Sequence, residues 1–595
     1  MPIEQLPIFT YFGKQRFSQF GSIDVANWTG IQAEDTKKGQ ALYPCTGRRH
    51  LNHFGQNVLV FDAEASALWK TINYSYYIVG ASVIQCDTNF NTRVIGSVAL
   101  NATTWFAYLA VGSLIYALLT DGTDIYLITE DGSSVTYQTV TDTFGPMNPQ
   151  FVFAFGQRFG VNVAGTNQFY LTTQNLSTPG HGIANPAYIF QNAGIGGPIS
   201  LIGSATGVIR QMCTLHAQLY IFNDVSTDIW SNIPTQVNLV GNETFFPFKL
   251  SSSYNWDYGI ADPFSLDVDF GMMCWLGKNN NGLISFMVSN GQQPEFISTQ
   301  AINVLLQNST YPSGLSPFQT GPVNGFLYQY ENTIFYRVSA GTYIDTGDVD
   351  ISNNAYSLEY NFSTKKWGRV IELNGQRNRI EKHVYFANMH LVSVQDDPAI
   401  YQMAGNIYYN ELRTPNTTSQ DANAFTAYPF RYELTTQQIF NEDYSEFITD
   451  YVEIDFVFGI DSYYMDSPYS NTVFIVDEQV GADGSPQYLI TENSINLDPT
   501  FIIAENSNFP TSDDNHYFQL FKPQINLSYS DDGGITFTTA DVRQFSPIGK
   551  YRWRMRWYET GTSRNRAYNL VCVSPTPIVI LGAVQNRRRV SGGAN

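Results

Sequence analysis

The chain has 595 residues, with 52 acids against 32 bases and a net charge of -20, so its body should repel nucleic acid and not grip it. Its five cysteines (Cys45, Cys86, Cys213, Cys274, Cys572) are scattered and contain no Cys-x-x-Cys pair, which argues against a disulfide framework or a zinc site and fits synthesis in a reducing cytoplasm. Charged residues are only 14% and aromatics 15%, with 46 Gly and 26 Pro; this is strand-and-turn material for an all-β protein of roughly three to four units or one large repeat array.

Residues 1–40 read as an extended N-terminal arm, interrupted by Pro2, Pro7, Gly13 and Gly21. The start has neither the basic nor the apolar region of a signal peptide. Residues 41–410 settle into short strands and turns, as in Gln218-Leu-Tyr-Ile-Phe222 and Thr333-Ile-Phe-Tyr-Arg-Val338. The one long apolar run, Trp105 to Leu119, is shorter than the ~20 residues needed to span a bilayer. Gly112 and Ser113 interrupt it, so two strands are expected and no membrane insertion by this chain. Gln300 to Gln307 could form two turns of helix.

Strands at near-regular spacing point to a β-propeller or to stacked sandwiches. Two segments favour the propeller: Ser226-Thr-Asp-Ile-Trp230 and Tyr360-Asn-Phe-Ser-Thr-Lys-Lys-Trp367 each follow a polar turn with an aromatic. The second resembles the kelch pattern, in which Tyr and Trp anchor a blade on its neighbour. At ~40 to 50 residues per blade, the region holds about seven. His50 and His53 beside Arg48 and Arg49 form a small basic group, with a solvated loop as the default expectation.

Residues 411–423 are expected to be a polar linker. Residues 424–585 are expected to form a C-terminal β-sandwich-like domain, with Tyr451-Val-Glu-Ile-Asp-Phe-Val-Phe458 as an alternating strand and an insertion near 461–515. Residues 586–595 read as a basic, flexible tail.

Ser530-x-Asp532-x-Gly534-x-Thr536-Phe537 matches the Asp-box of sialidases and related glycan-processing propellers. The Asp and Ser side chains there brace a turn, with the aromatic packed beneath, away from any catalytic centre. Catalysis of that kind needs an Arg cluster, a Tyr nucleophile and an acid partner, which residue order does not assemble, so no catalytic residues are assigned. Asp348-x-Asp350-x-Ser352-x-Asn354 with Glu359 has the oxygen spacing of a calcium loop, but Asn353 stands where the sharp turn wants Gly. A polar turn is expected there. Asp267-Val-Asp269 and the seven histidines lack ligand spacing, and no metal or cofactor is expected.

In Lys550-Tyr-Arg552-Trp-Arg554-Met-Arg556-Trp557 the arginines fall on one face of a strand, and Trp553, Met555 and Trp557 on the other. Arg552, Arg554 and Arg556, with Arg564, Arg566 and Arg587-Arg588-Arg589, are candidate interface residues. They are expected to pair with carboxylates within the chain or in a sister subunit, with contact to another protein or to DNA phosphates as the functional alternative.

The start, Met1-Pro-Ile-Glu-Gln-Leu-Pro7, resembles that of the packaged-DNA stabilisation, or tail-hub, proteins of short-tailed bacteriophages. The segment from Lys550 to Trp557, then Arg564-Asn-Arg566-Ala-Tyr-Asn-Leu570-Val and Ser574-Pro575, is similar to the family's end. Leu219–Trp230 and Ser289–Ile302 resemble blade segments of these hubs. The insertion near 461–515 and the tail beyond Ala583 depart from the pattern. The resemblance implies a non-enzymatic virion protein, a homo-oligomer forming a hexameric ring in the tail, assembled in the host cytoplasm. Its implied partners are portal and adaptor proteins and the tail needle, plug, fibre or spike. Genomic DNA would pass through the channel without sequence-specific binding. The rival expectations are a sialidase-like propeller that binds or cleaves glycans and an adhesin at the distal tail tip.

Overall fold

The computed structural model describes residues between 3 and 590; residues 7–12, 15–21, 32–40, 52–58, 173–184, 191–198, 201–206, 233–247, 251–254, 308–317, 344–354, 414–424, 459–471, 481–485, 493–502, 505–523 and 546–551, with shorter stretches and the two ends, lie outside the description. The fold is all-β. Four-stranded antiparallel sheets occupy residues 65–97, 105–139, 149–200 and 211–250, and a five-stranded sheet occupies 258–296. Two further four-stranded sets, one at 323–369 and one made of three strands at 380–404 with a fourth at 47–50, complete a seven-bladed propeller. The run from Trp105 splits into the strands Trp105–Val111 and Leu114–Thr120, turning at Gly112 with φ of 62°. The helix Gln300–Gln307 buries Ala301, Ile302, Leu305 and Leu306 against the fifth and sixth blades. Among the described residues no helix is long and apolar enough to cross a membrane.

Blade joints are aromatic and acid-braced. Trp256 and Trp275 stack at 5.6 Å, and the Trp367 indole N–H donates to the Ile297 carbonyl at 2.7 Å, tying blade six to blade five as the kelch-like pattern leads one to expect. The innermost strand of a blade has no strand on its axial side, so its N–H groups need other acceptors. Asp262 accepts from the Val323 N–H at 3.1 Å, and Asp267 from that of Leu327 at 2.6 Å. Asp121 accepts from the Ala99, Thr123 and Asp124 N–H groups. Part of the acid excess is thus spent inside the fold, on backbone donors.

The last blade is closed by the strand Gly47–His50, which pairs antiparallel with Asp397–Ala404 as the blade's outermost strand. The expectation of a solvated loop at Arg48, Arg49 and His50 is corrected by this: all three are buried. Arg48 binds Glu372 at 2.7 and 3.2 Å, and His50 lies 2.6 Å from Glu411. Distant carboxylates make a polar strand buriable. His53 lies outside the described residues.

The C-terminal domain is a sandwich. One sheet runs Trp28–Ile31, Ala41–Pro44, Ile578–Arg589, Phe447–Phe458, Arg552–Ser563; Ile3–Gln5 pairs with Ile578–Arg589. The other contains Ser22–Ala26, Phe425–Thr435, Asn565–Ser574, Gln524–Ser530 and Asp541–Gln544. Val452, Ile454, Phe456, Met555 and Trp557 from the first meet Phe430, Tyr432, Leu434, Ile525 and Leu570 from the second in one core. The described parts of residues 1–40 are strands of these sheets, not a free arm. Glu411 to Arg413, placed in a linker by the sequence reading, end the strand Tyr409–Arg413; 414–424 lie outside the description. Within 461–515 the strands Thr472–Val480, Pro486–Glu492 and Ile503–Ala504 form a separate three-stranded sheet.

The expectation of a flexible basic tail from residue 586 is also corrected. The strand Ile578–Arg589 carries the three arginines to its end, with Arg587, Arg588 and Arg589 opposite Thr449, Ile448 and Phe447. Residues 591–595 lie outside the description.

Candidate interaction strands of the C-terminal sandwich

The strand Arg552–Ser563 ends its sheet: among the described residues its one partner strand is Phe447–Phe458. Register sets Glu453 opposite Arg556 and Asp455 opposite Arg554. Alternation does the rest: Met555 and Trp557 are buried, while Arg552, Arg554 and Arg556 face solvent with side chains 65%, 60% and 42% exposed. Arg552 binds Asp455 at 2.6 Å, and the Arg556 Nε donates to Glu453 at 2.8 Å while its guanidinium lies over the Tyr451 ring. Those hydrogen bonds push both guanidinium groups up from their ordinary value. Arg554, between them, stands 3.5 Å from Glu453 and 3.9 Å from Asp455. Three cations share two carboxylates, both already engaged. Such exposed pairs contribute little to stability, and the row's main consequence is a local positive charge on an edge strand of an acidic chain.

The other candidate arginines are elsewhere. Arg564 pairs with Glu446 at 3.1 Å, Arg588 with Asp450 at 3.2 Å and Arg589 with Asp443 at 3.5 Å; Arg587 pairs with Glu4 of the N-terminal strand. Arg589 lies opposite Phe447 and Arg552 opposite Val457, roughly 33 Å apart along that strand, while Arg587 and Arg556, opposite Thr449 and Glu453, are four strand positions apart. Arg566 is buried and structural. Its guanidinium takes both oxygens of Asp531 at 2.7 and 2.8 Å, donates to the Thr560 carbonyl at 2.7 Å, and stacks over the Tyr529 ring at 4.2 Å.

The Asp-box hairpin is braced by its own side chains. The Ser530 hydroxyl donates to Asp532 at 2.6 Å and accepts from the Gly534 N–H at 2.8 Å. Both Asp532 oxygens accept from the Thr536 N–H at 3.0 Å, and Gly533 and Gly534 supply φ of 88° and 87°. Phe537 is 36% exposed, so the aromatic is not sealed beneath the turn. The hairpin belongs to the sandwich and not to a blade.

The calcium-like spacing at Asp348, Asp350, Ser352 and Asn354 lies outside the described residues, whereas Glu359 is in a buried strand and bound to Arg337. Among the described residues no group of three or more His, Cys, Asp or Glu could hold a metal ion.

Residue order did not flag three polar features. His383 and His390 lie in adjacent strands with Nε2 and Nδ1 2.9 Å apart, and burial pushes both imidazoles down, His383 strongly. Burial raises Asp267 to about 6. Asp228 is fully buried with both oxygens lacking a hydrogen-bond partner, and is likewise raised to about 6. The one signal available in the sequence was a charged residue inside an apolar strand.

No family model matches the chain, and no curated protein matches it. Among solved structures it is similar to the computationally designed Ika8 protein, at 10% identity and a TM-score of 0.30, over 67% of this chain and 99% of that one. It is also similar to a chain of a nidogen/laminin complex, at 9% identity and a TM-score of 0.26, over 51% of this chain and 95% of that one. Neither likeness bears on function.

Proposed function

We propose that this chain is a structural component of a short-tailed bacteriophage tail, a ring-forming hub below the portal and adaptor. It would close the DNA channel after packaging and anchor the needle, plug or fibres. The observation that carries the reading is that the family-like opening segment and the family-like basic strand from Arg552 lie in one sheet, joined through the strands Ile578–Arg589 and Phe447–Phe458. Ile3–Gln5 pairs with Val584 to Asn586, and the same sheet runs on through Phe447–Phe458 to the edge strand Arg552–Ser563. The opening segment and the basic strand from Arg552 to Trp557 therefore belong to one sheet, at whose border an excess guanidinium faces solvent.

Two further features support it. Ser530 and Asp532 of the Asp-box are engaged in bracing their own turn, a structural role. The acidic balance of the chain suits a channel that lets DNA slide past by repelling phosphates.

Locating the protein in intact particles tests the proposal, by antibody labelling or image reconstruction. A hub lies beside the portal. Density only at the distal tip would replace this reading with an adhesin.

A further inference from the structure

A cavity of about 140 Å³ opens where the N-terminal strands, blades six and seven, and the C-terminal sheet meet. Its walls include Tyr43, Tyr330, Phe335 and Tyr408, together with the exposed Glu331 and the buried Glu359. Among the described residues no Lys, Arg or His lines it. The aromatic wall is held in place by a close approach: the Tyr330 ring lies so near Gly405 that a Cβ there would stand 2.0 Å from it.

The charge of Glu359 is directed. Its Oε2 accepts from Arg337 Nε at 2.8 Å, Arg337 Nη2 at 2.5 Å and the Tyr328 hydroxyl at 2.6 Å. Its Oε1 has, among the described residues, the Cys45 thiol at 3.5 Å, a weak donor. Arg337 is fully buried and does not line the cavity. Glu359 thus lines the space itself, while Arg337 is bonded to the lining groups Glu359, Thr46 and Tyr328.

We propose that this cavity binds an organic ammonium ion, with an alkylated head about the size of trimethylammonium. Aromatic faces attract such cations through the negative quadrupole of the ring, and the lining carboxylates add to that attraction. The volume suits the head group: an engineered apolar cavity of about 150 Å³ holds a benzene molecule. An anion would meet two carboxylates, and a neutral ligand would leave the Glu359 Oε1 with only the Cys45 thiol among the described residues. A chain of net charge -20 also concentrates cations at its surface. The inference is independent of the tail-hub reading.

Titration of the full chain with choline, against 3,3-dimethylbutan-1-ol as its uncharged isostere at matched ionic strength, tests it. Choline is expected to saturate with Kd below about 1 mM, and the alcohol to bind at least about ten-fold more weakly. Glu331→Gln, at an exposed position, is expected to fold normally and weaken choline by about three-fold or more. Tyr408→Ala, with folding checked by thermal unfolding, is expected to weaken it further. Equal binding of the isostere, choline binding unchanged in the Glu331 variant, or no saturation by choline would each overturn the proposal.

Discussion

Arg48 on the closing strand holds Glu372 through two hydrogen bonds, at 2.7 and 3.2 Å, inside the protein and across 324 residues of sequence. Its Nε also donates to the Glu411 carbonyl, while Glu372 accepts from Asn410 and from the Arg379 N–H. Removing one partner leaves the other charged and buried. Arg48→Met is therefore expected to destabilise the chain by about 3–5 kcal/mol in denaturant unfolding, and Glu372→Gln in the same background to restore part of that loss. Equal stability of Arg48→Met and the parent would mean that the strand does not close the propeller.

The blade-six anchor is a single indole N–H. Trp367→Phe keeps an aromatic ring against Tyr360 and Phe286 but removes the bond to the Ile297 carbonyl, leaving that acceptor unmet. A loss of about 1–2 kcal/mol is expected, read as a shift of the denaturant midpoint at constant slope.

Two sets of partly buried groups pull stability in opposite directions with pH. His383 and His390 are held neutral in the fold, so below the ordinary imidazole value of about 6.5 the unfolded chain binds protons that the folded chain refuses. Their contribution is present above that value and lost as pH falls. Asp267 has the reverse sign: raised to about 6, it contributes fully below about 4 and loses that contribution as pH rises through 6. Asp267→Asn, which keeps an acceptor for the Leu327 N–H, is expected to stabilise by about 1–3 kcal/mol at pH 8 and by little at pH 4. A gain independent of pH would contradict the assignment. Acid unfolding between pH 6.5 and 4 should be flattened by replacing the histidine pair.

Arg554 is the odd cation of its row, with longer contacts than Arg552 or Arg556. Arg554→Glu is expected to leave the thermal midpoint unmoved, because exposed pairs contribute little to stability. Self-association should weaken by about ten-fold, with the deficit growing at low salt. An unchanged assembly and an unchanged midpoint together would remove the row from any interface.

Much of the architecture was legible because it is written locally. The break at Gly112 and Ser113, the helix Gln300–Gln307 and the two-sided strand beginning at Arg552 follow from turn chemistry and periodicity over a few residues. The strand Gly47–His50 was not legible. Four residues reading Gly-Arg-Arg-His carry no apolar alternation, and what buries them, Glu372 and Glu411, lies more than 300 positions away. The basic run at Arg587 to Arg589 was misread for the same reason, its partners Glu4, Asp450 and Asp443 being remote in sequence. The aromatic cavity drew its walls from both ends and the middle of the chain, and no local pattern could have announced it.

Native mass measurement of the purified chain, alone and with a portal–adaptor partner, tests the central claim most directly. The tail-hub reading predicts a closed ring, a hexamer, that forms or is reinforced when the partner is present. A monomer that joins no ring in either condition would contradict it.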